Sequence, residues 1–217
     1  MTAMPLKLEG LNVELLPERA VFWPAQQTLL IADLHLGKAA AFRRAGLAIP
    51  EGDTADTLER CTQIIKRYAP ERLILLGDIL HTRLGADPQL AQHIQRWRAQ
   101  HATLPIVAIQ GNHDRELDAL NGVLDCQSEG INEAGLGLFH HPPEQTMVSA
   151  WVAGHWHPVA AIEGAGDRLR LPAFVLTHNK GLVLPAFGSL TGGFLVNQAP
   201  EQKRFITSGE AVFCIDL

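Results

Sequence analysis

With 217 residues, 47% hydrophobic and 19% charged, the chain is long enough to bury one substantial core and reads as a single domain over 1–217. A net charge of -5 argues against a protein held on nucleic acid by its overall field, so a polyanion would have to be gripped locally. Three scattered cysteines outside any C-x-x-C, an N-terminus without an apolar signal core, and no apolar run near the ~20 residues that span a bilayer point to a soluble, unexported, cytoplasmic protein with no membrane partner.

Taken in chain order, apolar runs of strand length are predicted at 28–33 (TLLIAD), 72–78 (RLILLGD) and 105–114 (PIVAIQGNHD), each ending in a polar cluster near a glycine. Helices are predicted between them. The stretch 53–69 carries Leu58, Cys61, Ile64, Ile65 and Tyr68 at helical spacing, and 87–101 opens with Asp87 as N-cap and Pro88 at the first helical position. That alternation is the βαβ rhythm of an α/β sheet. The second half changes character: short β-type runs at 135–140, 150–155, 173–178, 181–187 and 211–216 are separated by Gly, Pro and Asn turns.

In open α/β sheets, ligands bind beyond the carboxyl ends of the strands, and the polar clusters fall there. They are D-L-H (Asp33, His35), G-D-I-L-H (Asp78, His81), G-N-H-D (Asn112, His113, Asp114), H-H-P-P (His140, His141) and G-H-W-H-P (His155, His157). Seven of the ten histidines lie in these five clusters, a sorting that scattered surface histidines would not produce. Asp carboxylates, an Asn carbonyl and imidazoles without thiolate suit Mn, Fe or Zn better than a structural zinc or an oxygen-only calcium site. So many donors exceed what one ion needs; two ions about 3.5–4 Å apart, sharing a carboxylate, would use them all.

The order D-x-H, G-D-x-x-H, G-N-H-D, His, G-H-x-H resembles the calcineurin-like metallophosphoesterase superfamily. Further stretches, among them DLHLGKAAAFRRAGLAIPEG, LLGDILHTRLG, DRLRLPAFVL and LPAFGSLTGG, are similar to its bacterial ligase-associated DNA-damage-response phosphoesterase/endonuclease branch, over about 28–193. The resemblance implies a four-layer αββα sandwich with two mixed β-sheets, an α/β fold. It implies that Asp33, His35 and His157 hold one divalent ion and Asn112, His140 and His155 the other, with Asp78 bridging. Mn²⁺ is the expected metal, with Fe or Zn as alternatives. The expected reaction is hydrolysis of a phosphodiester, including DNA as an endonuclease substrate, by a metal-bridging hydroxide. The resemblance further implies DNA repair, in functional association with an ATP-dependent DNA ligase, a helicase and a nuclease.

His113 is expected to act on the leaving group, with Asp114 orienting its ring or else capping the segment that follows. His140 and His141 compete for one ligand position. His140 ends its strand, whereas His141 precedes Pro142 and is pushed into an extended conformation, which favours His140. His81, Lys38, Arg43, Arg83 and Arg115 are candidates for gripping substrate phosphate, with packing or a solvated face as the plain alternative. Trp156 is read as a packing plug, with base stacking as the sharper alternative. A phosphomonoesterase or nucleotide hydrolase would use the same ligands. A non-catalytic module on this fold would be expected to lose some of them, and none is missing.

Overall fold

A computed structural model describes residues 2–81, 87–114, 120, 123–145, 148–164 and 166–216. The chain opens with β1 (Met4–Leu8), β2 (Leu11–Leu16), β3 (Ala20–Trp23) and β4 (Thr28–Ile31), an antiparallel meander. Then come α1 (Lys38–Arg44), α2 (Asp53–Tyr68), β5 (Arg72–Leu76), α3 (Pro88–Gln100), β6 (Ile106–Ile109) and β7 (Asp125–Gln127). Strands β4 to β7 pair in parallel, so the first sheet runs in chain order from β1 to β7 and is mixed.

The remaining strands are β8 (Ile131–Glu133), β9 (Leu136–Phe139), β10 (Ala150–Ala153), β11 (Pro158–Gly164), β12 (Asp167–Thr177), β13 (Gly181–Val183), β14 (Phe194–Leu195), β15 (Gln202–Thr207) and β16 (Val212–Cys214). They form a second mixed sheet in the order β14-β11-β12-β13-β10-β9-β8, to which β15 and β16 attach through β12.

Alternation along the strands sorts the side chains into layers. Leu29, Ile31, Leu73, Leu75, Ile106 and Ala108 meet Leu58, Cys61 and Ile64 of α2 and Leu90, Ile94 and Trp97 of α3. The opposite faces of the same strands, with Leu30, Ile74, Leu76 and Ile109, pack on Leu138, Val152, Phe174 and Leu182 of the second sheet. Burial on both faces explains why β4, β5 and β6 are unbroken apolar runs. The helices end where charge and backbone dictate: α2 has Asp53 and Asp56 in its first turn and Lys66 and Arg67 in its last, and Asp87 accepts from the Leu90 N–H to cap α3.

The protein is thus an α/β sandwich of two mixed sheets. Among the described residues the outer side of the second sheet has a small apolar cluster around Trp151, Val175 and Val183, while α2 and α3 pack on the first sheet. No described helix is long and apolar enough to cross a membrane.

Candidate metal centre

The polar clusters meet at one edge because parallel strands of both sheets deliver their carboxyl ends there. Asp33, Asp78 and Asn112 follow β4, β5 and β6; His140 and His155 follow β9 and β10. The loops are laced by backbone hydrogen bonds: Asp33 N–H donates to the Gly77 carbonyl (3.2 Å), His35 N–H to Asp78 (2.8 Å), Leu36 N–H to Ile79 (2.8 Å) and Gly154 N–H to His140 (3.0 Å).

These turns are unusually tight. Asp33, His35, Asp78, His155 and His157 all adopt left-handed φ, between 47° and 72°. A non-glycine residue there costs on the order of 1 kcal/mol, so five among seven expected ligands mark backbone held for side-chain placement. Two glycines leave the room. A Cβ on Gly77 would stand 2.3 Å from His140 Nδ1, and one on Gly111 would stand 2.2 Å from Asp78 N and 2.3 Å from Asp78 Oδ1.

The side chains form two donor groups, each with its ligand atoms within 4.8 Å of one another: Asp33, His35, Asp78 and His157, and His140, His141 and His155. Asp78 lies between them, with Oδ2 3.5 Å from His35 Nε2 and Oδ1 3.5 Å from His140 Nε2. Asn112 Oδ1 is 3.0 Å from His140 Nε2. His141, weighed above as a rival of His140, lies with it, its ring 3.8 Å from that of His155.

The donors fit cations. Asp33 Oδ2 accepts from the His155 N–H (2.9 Å), but its Oδ1 is buried without a hydrogen-bond partner, 3.5 Å from His157 Nε2. His35 Nε2 and His157 Nε2 face each other at 3.2 Å. Burial, with Lys38 and His157 nearby, pushes His35 down to about 2, so the ring is neutral and its lone pair is available. Burial likewise lowers His155 and His141. Imidazoles beside an orphaned carboxylate oxygen are the donors a divalent ion takes as ligands.

Around this centre, the His113 N–H donates to Asp78 Oδ1 at 3.0 Å, and its ring lies 5.3 Å from that of His35 and stacks at 5.5 Å on His81. The half-buried Lys38 donates from Nζ to the Thr191 carbonyl (3.4 Å); burial lowers its pKa while Asp78, Asp53 and Asp33 raise it. Asp114 departs from expectation. Its buried carboxylate accepts from the N–H groups of Ile79 (3.2 Å), Leu80 (2.8 Å) and Gly111 (2.9 Å), so among the described residues it ties two loops together and does not orient the His113 ring. Arg43 also differs: it donates to the Pro50 carbonyl (3.0 Å) and lines a cavity of about 390 Å³ that none of the expected ligands borders. Arg83 and Arg115 lie outside the described residues. Trp156 is exposed.

One supporting residue was absent from the sequence reading. Arg60 of α2 donates to the Phe187 carbonyl (3.0 Å) and Ser189 Oγ (3.1 Å), with its guanidinium 4.3 Å over the Phe187 ring. The Phe187 N–H in turn donates to the Ala32 carbonyl and the Gly188 N–H to that of Asp33. The LPAFGSLTGG loop is therefore a wall pressed against the Asp33 turn, and Arg60 clamps it.

A family model described as calcineurin-like phosphoesterase matches residues 27–180, and the chain belongs to that family. It is a metal-dependent phosphoester hydrolase. The crystal structure of a Pseudomonas putida nuclease, MPE, is similar with a TM-score of 0.84 at 34% identity, over 99% of this chain and 100% of that one. A protein of unknown function from Aquifex aeolicus, AQ665, is 17% identical over 59% of this chain and 77% of its own, with a TM-score of 0.41. No curated protein sequence matches.

Proposed function

We propose that the whole chain, as one domain, is a dinuclear phosphodiesterase that cuts DNA, with Mn²⁺ as its metal. The observation that carries this reading is Asp78, whose two carboxylate oxygens each face a different donor group at 3.5 Å. Asp33, His35 and His157 would hold one cation and Asn112, His140 and His155 the other, with His141 as a further imidazole beside the second. When bound, such a pair acidifies water and screens the charge of a phosphoryl group under in-line attack. His113, fixed through its backbone to Asp78, carries a proton toward the leaving oxygen, and His81, stacked on it, holds that ring in place. Lys38 supplies positive charge to substrate phosphate from the wall formed with Thr191. Asp114 acts through the backbone it fastens.

The nuclease name of the Pseudomonas putida protein supports a nucleic-acid substrate. The branch-level sequence resemblance supports a cytoplasmic role in DNA repair beside an ATP-dependent ligase, a helicase and a nuclease. Loading the purified protein with Mn²⁺ and comparing an aryl phosphodiester, an aryl phosphomonoester and DNA tests the reading. Diester and DNA cleavage that disappears in Asp78→Ala and His113→Ala is expected. Preference for the monoester would instead make it a phosphomonoesterase, and full activity in Asp78→Ala would remove the shared-carboxylate centre.

A further inference from the structure

Phe42 lies on α1, is partly exposed, and among the described residues joins none of the apolar clusters that make up the core. The ring it meets there is that of His81, 6.4 Å away between centroids and inclined at 65°. A single apolar side chain outside the core needs no explanation by itself. What calls for one is the place where this ring stands.

A line of rings runs outward from the buried His35. The His113 ring lies 5.3 Å from it, His81 stacks on His113 at 5.5 Å, and Phe42 ends the line against His81. Backbone contacts fasten this order. The His81 N–H donates to the Leu36 carbonyl (2.9 Å), and the Gly37 N–H at the start of α1 donates to Thr54 Oγ1 of α2 (3.1 Å), so α1 cannot swing away from His81 without losing both. Phe42 follows Lys38 by four residues, which makes the two side chains neighbours on one face of the helix, roughly 5–6 Å apart at Cβ. The arginines that come next are engaged elsewhere, Arg43 with the Pro50 carbonyl and Arg44 with Asp87 (3.9 Å). Beside the metal centre, α1 therefore offers a cation and then a ring, as a nucleotide offers a phosphate and then a base.

We infer that Phe42, cornered with His81, is the stacking platform for a nucleobase next to the phosphodiester that is cut. The inference rests on the nucleic-acid reading given above. Two ring planes at 65° make a corner, in which a flat base stacked on one ring turns its edge to the other. Every base has a π-face, so this contact adds affinity without reading sequence. It also needs a base whose face is free, which an unpaired strand supplies. Lys38 and Phe42 would then share the work of holding one nucleotide, the first by its phosphate and the second by its base.

The test compares two end-labelled single strands of equal length, a thymidine tract and an abasic tract, cut by the full chain loaded with Mn²⁺. Wild-type protein should show a KM roughly 5- to 100-fold lower on the thymidine tract, the scale of one stacked base. Phe42→Ala should raise the thymidine KM to the abasic value, leaving kcat and every parameter on the abasic tract unchanged. Phe42→Trp should restore the difference, and Phe42→Leu, which keeps apolar bulk without a π-face, should not. If Phe42→Ala fails to fold, the leucine and tryptophan variants carry the comparison. Equal wild-type KM on both tracts overturns the inference, and so does a leucine variant that matches wild type. A Phe42→Ala protein slowed equally on both tracts also overturns it, because the ring would then only prop His81. Wild-type protein that cuts neither tract yet hydrolyses an aryl phosphomonoester refutes the nucleic-acid reading itself, and the inference falls with it.

Discussion

The two donor groups at the sheet edge differ in kind. Asp33, His35 and Asp78 are buried and His157 is partly covered, whereas of His140, His141 and His155 only His140 is buried. The first group brings two carboxylates into a dry setting, where an unpaired charge is costly and a cation is the natural counterion. The second brings three imidazoles to a more open rim. A cation in the first should be slow to leave, and one in the second should exchange readily. Retention and access would thus be divided between the two groups.

The most disruptive way to break that division is to remove what the halves share. Asp78→Ala should lower turnover roughly 10³-fold or more and reduce metal content in both groups, measured by elemental analysis beside kinetics. Retention of both ions at full occupancy would show that the groups do not depend on a common carboxylate. Next come the two histidines of G-H-W-H-P. His157→Ala and His155→Ala should each reduce bound metal from about two ions per chain to about one. Excess Mn²⁺ should restore activity to the His155 variant more readily than to the His157 variant, and equal recovery would erase the contrast between open and buried groups.

A milder perturbation acts through the backbone. Gly111→Ala forces a methyl group against Asp78 and should cost about 10²-fold in turnover, the scale expected of a displacement near 1 Å, while Gly164→Ala, where the space is open, should cost nothing. The smallest effect is expected at Arg60. Arg60→Gln releases the wall behind Asp33 and should lower kcat about 10-fold with KM and metal content nearly unchanged. A change confined to KM would mean that the loop binds substrate and does not support the buried group.

Local chemistry made part of this molecule legible. Continuous apolar runs gave away β4, β5 and β6, and the spacing of Leu58, Cys61 and Ile64 gave away α2, because each signal lies within a few residues. The helix α1, in KAAAFRR, escaped because it is seven residues long and starts from a left-handed Gly37 without a side-chain cap. The strand β11, with two alanines and a glycine, has little β-propensity of its own and is held by its pairing with β12. At the site, the identities of the donors were readable but the duties of their neighbours were not. Asp114 binds loops that lie 34 and 35 residues away, and Arg60 acts on a wall 127 residues distant. Nothing in either residue's local surroundings distinguishes it from an ordinary turn carboxylate or an exposed helical arginine.

The apolar layer between the sheets has one more consequence. Asp33, His35, Asp78 and Asn112 hang from the first sheet and His140, His155 and His157 from the second, so each of the two proposed ligand sets would draw on both sheets. The gap between two such cations would then be a property of the filling: side chains such as Leu76, Leu138 and Val152 lie between the sheets as spacers whose bulk would set the gauge of the centre. Trimming one of them would leave every proposed ligand in place and still detune the pair, as a worn shim leaves a bearing assembled but out of true.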